Sequence, residues 1–308
     1  MTTTDIPDFV QIVDVAARDG LQNEKQVVPT AVKCSLIERL SNAGVKELET
    51  TSYVSPKWVP QMADNHEVMQ RLVRHSGVKY AVLVPNMKGF EAAIQDAPDE
   101  MVVFAAASEA FSQKNINCSI AQSIERFAPV VQAAKAQGIS VRGAMSCTVG
   151  CPYEGDVAPE RVAYLAGLLK DIGVDRVDVA DTIGVGTPRK VQKAIEATLQ
   201  HFDIDHISGH FHDTYGQALA NVLASLELGV WNFQASVAGL GGCPYAKGAT
   251  GNVATEDVVF MLGGMGIETG IDLNALVQVG QYISQELGRQ TGSRVGRALL
   301  AKAEVLPT

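Results

Sequence analysis

Short apolar runs alternate with longer amphipathic stretches along this chain. The apolar runs predict eight strands, at residues 10–15, 45–50, 79–84, 101–106, 140–145, 176–180, 206–211 and 232–237. Helical periodicity between them predicts helices at residues 29–42, 119–137, 159–171, 188–201 and 217–228. Helix-start prolines and helix-end glycines support these bounds: Pro29, Pro159, Pro188, Gly44, Gly138, Gly173 and Gly229.

Eight strands that alternate with helices over about 260 residues predict a parallel (β/α)8 TIM barrel. We expect the barrel to span about residues 9–265 and a further helical segment to occupy about residues 271–303. A doubly wound open sheet is the structural alternative. No linker, repeat or low-complexity tract divides the chain, so we predict a single catalytic domain over residues 1–308.

The composition narrows the classes of function. The 308-residue chain is 46% hydrophobic and carries a net charge of −9, with no basic stripe, which argues against nucleic acid and membrane partners.

Its five cysteines are odd in number and scattered, as is typical of free thiols in a reducing compartment. Cys147 and Cys151 have a zinc-knuckle spacing but no second pair, which favours buried or loop cysteines. Without a leader or a membrane-length apolar run, we predict a cytoplasmic protein.

The polar residues with catalytic chemistry follow the predicted strands. Arg18 and Asp19 follow the first strand, Glu49 ends the second, Asp181 follows the sixth, His210 and His212 end the seventh, and Cys243 and Asn252 lie beyond the eighth. In a parallel barrel the carboxyl ends of all strands meet at one rim, where the active sites of such enzymes lie. The convergence of these residues at one rim therefore predicts an enzyme.

His210 and His212 are two residues apart in an extended segment, so both imidazoles point to the same face. Together with the carboxylate of Asp19 they predict a divalent metal site, the alternative being a pair of hydrogen-bonded structural histidines. Imidazoles alone suit zinc or iron, but added carboxylate and amide oxygens favour Mg²⁺ or Mn²⁺.

Two further residues have both a chemical and a structural interpretation. Arg18 carries a planar fork of donors that suits an oxyanion or a carboxylate; its structural alternative is a surface ion pair with Asp19, and Glu49 could merely pair with Arg18. Asn252 could equally be the N-cap of a helix at residues 253–262.

The run of residues 237–252 is rich in glycine, so its backbone can adopt conformations closed to other residues and approach a ligand closely. Cys243 at its centre is a candidate acid, base or nucleophile, whereas a lone cysteine elsewhere would be read as a core thiol. The run lacks the ending of a phosphate-binding P-loop.

At these residues the sequence resembles the hydroxymethylglutaryl-CoA lyases, barrel enzymes that cleave a carbon–carbon bond beside a carbonyl. The resemblance covers essentially the whole chain. It includes residues 18–25 (RDGLQNEK), 55–61 (SPKWVPQ), 107–109 (ASE), 115–119 (NINCS), 181–184 (DTIG), 212–216 (HDTYG) and the 237–252 run. The cysteine loop is specific to these lyases, while the Arg-Asp-Gly and His-x-His motifs are shared with related synthases and aldolases.

The resemblance implies a role for each candidate residue. Asp19, His210, His212 and Asn252 would coordinate Mg²⁺ or Mn²⁺ together with substrate oxygens. Arg18 would stabilise the enolate of the thioester, and Cys243 would take part in proton transfer. Glu49 and Asp181 would be active-site carboxylates.

The expected reaction is retro-Claisen cleavage of the acyl-CoA substrate 3-hydroxy-3-methylglutaryl-CoA to acetyl-CoA and acetoacetate. The alternatives are a sister lyase for citramalyl-CoA or a longer branched analogue, a Claisen-type synthase, and a catalytically silent acyl-CoA-binding protein. A homodimer is one open option for the assembly.

The chain departs from the pattern of these lyases at several positions. Alanines stand at 16 and 17 in place of glycine-proline, and Ala144 stands where an aromatic residue is usual. Asp178 replaces serine, and Gln234-Ala235 replaces aspartate-serine. If Ala144 lines the pocket, the lost ring leaves room for a different acyl group, and the carboxylate of Asp178 is expected to repel an anionic one.

Overall fold

Residues 6–242 and 251–305 are described here from a computed structural model. Eight parallel strands close into a barrel, with the neighbour order β1-β8-β7-β6-β5-β4-β3-β2. They are β1 (Gln11–Asp14), β2 (Glu47–Ser52), β3 (Lys79–Leu83), β4 (Glu100–Ala106), β5 (Ser140–Ser146), β6 (Arg176–Asp181), β7 (Ile207–Phe211) and β8 (Asn232–Ala235). Each strand overlaps the predicted one in the same order, so the TIM barrel is confirmed and the open sheet is wrong.

Helices cover the outside of this barrel. They are α1 (Thr30–Asn42), α2 (Asn65–Arg71), α3 (Met87–Ala93), α4 (Glu109–Ile116), α5 (Ile120–Ala136), α6 (Pro159–Asp171), α7 (Pro188–Thr198), α8 (Ala218–Leu226), α9 (Thr255–Gly264), α10 (Leu273–Glu286) and α11 (Arg294–Val305). The last two are the additional C-terminal helices expected from the sequence. Helix α10 packs against α1 and against the short 3₁₀ turn Val237–Gly239 that follows β8.

Proline and glycine mark the helix ends for local steric reasons. Pro159 and Pro188 are the first residues of their helices, where a missing N–H costs nothing, and Pro29 is the residue before α1. Gly44, just beyond α1, has φ +103°, and a Cβ there would lie 2.3 Å from the carbonyl oxygen of Gly270. Only glycine allows the segment before α10 to approach α1 this closely.

One continuous apolar core fills the space between the strands and the surrounding helices, and α10 contributes Leu276, Val279 and Ile283 to it. Alternate residues of each strand point instead into the barrel, since the side-chain period of a strand is two. Near the amino ends of the strands this interior is charged, and Arg142 of β5 is fully buried there. Closer to the carboxyl ends the interior holds the candidate active-site residues.

Between β5 and α6 a small antiparallel hairpin pairs Gly150–Cys151 with Gly155–Asp156. Ser108 Oγ donates a hydrogen bond to the Sγ of Cys151 at 3.0 Å. Within the described residues, the cluster suited to a metal contains no cysteine, so the structure gives no support to a zinc knuckle there. No helix of the described part of the chain is long and apolar enough to cross a bilayer.

Candidate active site

The Arg18-Asp19 pair lies in a single π-helical turn, Ala16–Gly20, that begins two residues after β1 ends. Buried Asp14, the last residue of β1, accepts hydrogen bonds from the backbone N–H of Ala16 at 2.9 Å and of Val237 at 3.0 Å. It also accepts one from Thr255 Oγ1 at 2.7 Å. One carboxylate therefore ties the Arg18 turn to the start of the glycine-rich run and to the start of α9.

Three side chains from opposite ends of the chain meet at the rim. Asp19, His210 and His212 each offer a ligand atom, and these atoms lie within 4.8 Å of one another. His210 belongs to β7 and His212 follows it, so their rings share a face, with centroids 5.4 Å apart. The predicted grouping of these three residues is thus present in the fold.

Asn252, the fourth predicted ligand, is joined to this group. Its Nδ2 donates to Asp19 Oδ2 at 2.7 Å and to the carbonyl oxygen of Leu240 at 3.1 Å. Helix α9 begins at Thr255 with Ala254 as its N-cap, so the alternative interpretation of Asn252 as a helix cap is wrong. The side chain instead connects the exit of the glycine-rich run to the Arg18 turn.

Two glycines allow Asn252 to reach this position. Gly241 has φ +132°, and a Cβ on it would lie 2.6 Å from Asn252 Nδ2. Gly251 has φ +95°, and a Cβ on it would lie 2.6 Å from the carbonyl carbon of Gly241. The two ends of the run therefore approach each other closely only because both residues lack a side chain.

The charge states of the cluster suit a cation. Burial opposes ionisation of Asp19, but Arg18, the two histidines and the hydrogen bond from Asn252 together lower its pKa to about 2. Burial, with His210 adding to it, lowers the pKa of His212 to about 4. At neutral pH the cluster thus presents a carboxylate and a neutral imidazole, the forms that bind metals.

One unpartnered atom also fits a cation. The Nδ1 of His212 is buried and has no hydrogen-bond partner among the described residues. A buried ring nitrogen without a partner is unfavourable unless something else fills that role. The residues present therefore fit a divalent metal ion bound between Asp19 and the two histidines.

Arg18 is 8% exposed, so it is not the surface ion pair of the structural interpretation. Its Nη1 donates to Asp19 Oδ1 at 2.9 Å and its Nε donates to Glu49 Oε1 at 2.5 Å. The third nitrogen, Nη2, has no hydrogen-bond partner among the described residues. The guanidinium is thus held from two sides with donors left over for an oxyanion.

Glu49 links this rim to the buried charges of the barrel interior. Its Oε2 accepts from Arg142 Nη2 at 2.8 Å. A shift in the pairing of β2 with β3 falls between Glu49 and Thr51, at the level of this contact. Irregularities of this kind re-aim side chains near active sites. Burial opposes ionisation of Glu49, yet Arg18 and Arg142 overcome it and lower its pKa.

Asp178 does not present a free carboxylate to the pocket, which corrects the expectation from sequence. It is fully buried, accepts from Arg142 Nη1 at 2.6 Å, and accepts from the hydroxyl of Ser208. Arg142 also donates to Glu100 Oε2 at 3.0 Å. Because Arg142 and Ser208 engage both of its oxygens, Asp178 is part of the support beneath the site rather than a free charge within it.

Asp181 lies at the carboxyl end of β6, but its oxygens face the backbone of the following turn. They accept from the N–H of Val185 at 3.1 Å and of Gly186 at 2.7 Å. Burial raises its pKa to about 6 despite these bonds. In this structure Asp181 shapes the turn beside the site and makes no hydrogen bond with Asp19 or the histidines.

Cys243 lies outside the described residues. The last described residue before it, Gly242, accepts a hydrogen bond through its carbonyl oxygen from Asn23 Nδ2 at 3.0 Å. Since Asn23 follows the Arg18 turn closely in sequence, the entrance of the glycine-rich run is tied to that turn as well.

Sequence reasoning missed three residues that organise the site. Arg142 and Asp14 were not singled out, and Gln234 was noted only as a departure from the lyase pattern. Gln234 Oε1 lies 2.6 Å from His210 Nδ1. Strand alternation was the signal available, since it places Arg142 and Gln234 on inward-facing positions where a polar residue is unusual without a partner.

Comparison with known proteins places this site in context. A model of the HMGL-like family matches residues 9–283. A 3-hydroxy-3-isohexenylglutaryl-CoA/hydroxy-methylglutaryl-CoA lyase from Pseudomonas aeruginosa is 55% identical over 97% of this chain and 99% of its own length. The mitochondrial hydroxymethylglutaryl-CoA lyase of Bos taurus is 53% identical over 95% of this chain and 90% of its own.

The fold agrees with these relatives. A crystal structure of hydroxymethylglutaryl-CoA lyase from Pseudomonas aeruginosa superimposes with a TM-score of 0.95. That comparison covers 97% of this chain and 100% of the other, at 55% sequence identity.

Proposed function

The chain belongs to the HMGL-like family of hydroxymethylglutaryl-CoA lyases, and from this premise we propose that it is a divalent-metal-dependent carbon–carbon lyase. It cleaves 3-hydroxy-3-methylglutaryl-CoA to acetyl-CoA and acetoacetate. The observation that carries the proposal is the meeting of Asp19, His210 and His212 within 4.8 Å, beside the buried guanidinium of Arg18. An acyl-CoA is accordingly the small-molecule partner of this rim.

The proposed metal ligands are Asp19, His210, His212 and Asn252, with Mg²⁺ or Mn²⁺ as the ion. The hydrogen bonds of Asn252 use its Nδ2, which leaves the oxygen Oδ1 for a cation. A carboxylate and an amide oxygen beside two imidazoles favour these ions over zinc. When bound, the ion would supply Lewis-acid polarisation of the substrate oxygens.

The bond that breaks joins C2 and C3 of the acyl chain. The 3-hydroxyl loses its proton to a base, its oxygen becomes the ketone of acetoacetate, and the electron pair of the broken bond remains on C2 as a thioester enolate. Arg18 stabilises the negative enolate oxygen through its unpartnered donors, because preorganised donors in a buried site require no reorganisation during the reaction. We propose that Cys243 delivers the proton that converts the enolate to acetyl-CoA.

The two remaining carboxylates act around this centre. Glu49 holds Arg18 at 2.5 Å and connects it to Arg142, so it is a positioning residue for the oxyanion donor. Asp181 is proposed as an active-site carboxylate that fixes the turn after β6. Asp14 and the glycine pair Gly241 and Gly251 bring the ligand-bearing segments together.

The test is turnover of 3-hydroxy-3-methylglutaryl-CoA with Mg²⁺ or Mn²⁺, with acetoacetate and acetyl-CoA measured together. Equal formation of both products, abolished by EDTA and by His210→Ala, is the expected result. His206→Ala is the matched control, because His206 is exposed at the opposite end of β7 and should leave turnover unchanged. Folded, metal-loaded protein that forms neither product would overturn the proposal.

A second candidate substrate carries a larger apolar group at C3. Ala144 shares its strand face with Arg142 and packs with a small apolar cluster, separate from the main core, that contains Leu83, Val102 and Phe104. This cluster offers apolar surface where related lyases have an aromatic ring. The name of the Pseudomonas aeruginosa relative includes an isohexenyl substrate of this kind.

Ala144→Tyr separates the two substrates. If the apolar cluster receives the C3 group, the variant loses kcat/KM for a long-chain 3-hydroxyacyl-CoA while turnover of the methyl substrate changes little. A parallel loss on both substrates would contradict this assignment. Condensation of acetyl-CoA with a 2-oxo acid, or binding without turnover, would indicate instead a synthase or a silent binding protein.

A further inference from the structure

Strands β7 and β8 bring the side chains of His210 and Gln234 face to face. The two residues are direct partners in the parallel register, and Gln234 Oε1 lies 2.6 Å from His210 Nδ1. Gln234 is 3% exposed, so no solvent competes for this contact. The pairing is built into the barrel and does not depend on a surface loop.

The amide oxygen of Gln234 determines which ring nitrogen of His210 carries the hydrogen. A carbonyl oxygen only accepts, so His210 Nδ1 must carry a hydrogen and donate it. In a neutral ring the lone pair is then on Nε2, the nitrogen that remains for a metal. An amide nitrogen at the same place would donate to Nδ1 and move the hydrogen to Nε2, which would block coordination.

The side chain of Gln234 makes no other hydrogen bond among the described residues. Its Nε2 is buried and has no hydrogen-bond partner among the described residues. If the amide turned over, that nitrogen would face His210 and the oxygen would take the unpartnered place. In either orientation one end of the amide has no partner, so the contact with His210 is what holds this side chain.

We propose that Gln234 is a positioning residue that fixes the ring orientation and the Nδ1–H tautomer of His210 for a divalent cation. The proposal rests on the metal site proposed above. A metal-binding histidine usually donates its other ring N–H to a carboxylate or a backbone carbonyl, and a carboxylate makes the imidazole a stronger ligand. A neutral amide therefore orients His210 while strengthening it less than a carboxylate would.

Three variants test this role by direct Mn²⁺ binding, measured by electron paramagnetic resonance of the free ion without substrate. Gln234→Met keeps the length of the side chain but removes the acceptor, and should weaken binding about 10–100-fold. Gln234→Glu keeps an acceptor at the same place and should bind at least as tightly as the wild type. Asn232→Leu removes a buried amide from the same face of β8 and should leave binding unchanged.

The tautomer itself is read by ¹⁵N NMR of histidine-labelled, metal-free protein. The proposal expects Nδ1–H in the wild type and Gln234→Glu, and loss of this preference in Gln234→Met. Nε2–H in the wild type, or Mn²⁺ binding by folded Gln234→Met within twofold of wild type, would overturn it. If wild-type protein failed to bind Mn²⁺, the proposed metal-dependent function would fall, while the metal-free spectrum would still decide the role of Gln234.

Discussion

Replacement of Glu49 by glutamine tests the buried connection between the active-site rim and the barrel interior. Glu49 is 1% exposed and accepts from two guanidinium groups, at 2.5 Å from Arg18 and 2.8 Å from Arg142. Glutamine has the same shape but only one acceptor oxygen. Its amide nitrogen would face a guanidinium donor, so one hydrogen bond becomes a contact between two donors and the balancing charge disappears.

The expected loss follows from the burial of all three groups. Breaking a buried ion pair by removing one partner costs about 3–5 kcal/mol, because the remaining charge has no compensation. Total stabilities of folded proteins are about 5–15 kcal/mol, so Glu49→Gln should lower the free energy of unfolding by a large share of the whole. We also expect a lower kcat, because Arg18 loses one of its two supports.

The assay is urea denaturation of wild type, Glu49→Gln and Glu67→Gln at several pH values. Glu67 pairs with Arg71 on the surface of α2, where both side chains are about half exposed, so its replacement should cost far less, about 0–1 kcal/mol. Since the pKa of Glu49 is lowered in the folded state, its contribution is present above its ordinary pKa of 4.5. It is lost as the pH falls through the folded-state pKa.

The difference in stability between wild type and Glu49→Gln should therefore shrink in acid. A difference below about 1 kcal/mol at pH 7, or equal losses for the two variants, would refute the burial argument. A large difference that persists at the lowest pH values would show that packing, not charge, accounts for the effect.

Three further outcomes are expected from the same geometry. Arg18→Lys should reduce kcat about 10²–10³-fold in the lyase assay, because three donors on one nitrogen cannot reach Asp19, Glu49 and an oxyanion together as the planar guanidinium does; a loss below tenfold would contradict the oxyanion role. Gly241→Ala should weaken Mn²⁺ binding, since its Cβ would displace Asn252, and a titration unchanged from wild type would argue against Asn252 as a ligand. Burial raises the pKa of Glu256 to about 8 in the folded protein. Between pH 4.5 and 8 the stability of the wild type, relative to that of Glu256→Gln, should therefore fall by roughly 1.4 kcal/mol per pH unit. Parallel pH profiles of the two proteins would be inconsistent with that shift.

Much of the site could be predicted because the TIM barrel converts strand order into position. Once eight strands were recognised, residues at or beyond the carboxyl ends of the first, seventh and eighth strands had to meet at one rim, and Asp19, His210, His212 and Asn252 do so. The prediction needed only local patterns and the general property that parallel strands end together.

The partners of these residues could not be predicted in the same way. Strand alternation shows that Asp178 and Arg142 point inward, but not that they meet, because their pairing depends on how far each strand is shifted along its neighbours. Asp178 consequently looked like a free charge in the sequence and is an ion-pair partner in the structure.

The sequence by itself thus determined the strands, the longer helices, the fold and the residues that gather at the rim, since these follow from short-range periodicity and chain order. Only the tertiary structure decided the contacts between strands, in which Arg142 joins Glu49 to Asp178 and Gln234 meets His210. The physical reason is that burial and register act together. Closing the barrel removes water from the interior, so every polar side chain there must find its partner on another strand, and the relative shift of the strands sets which partner it finds.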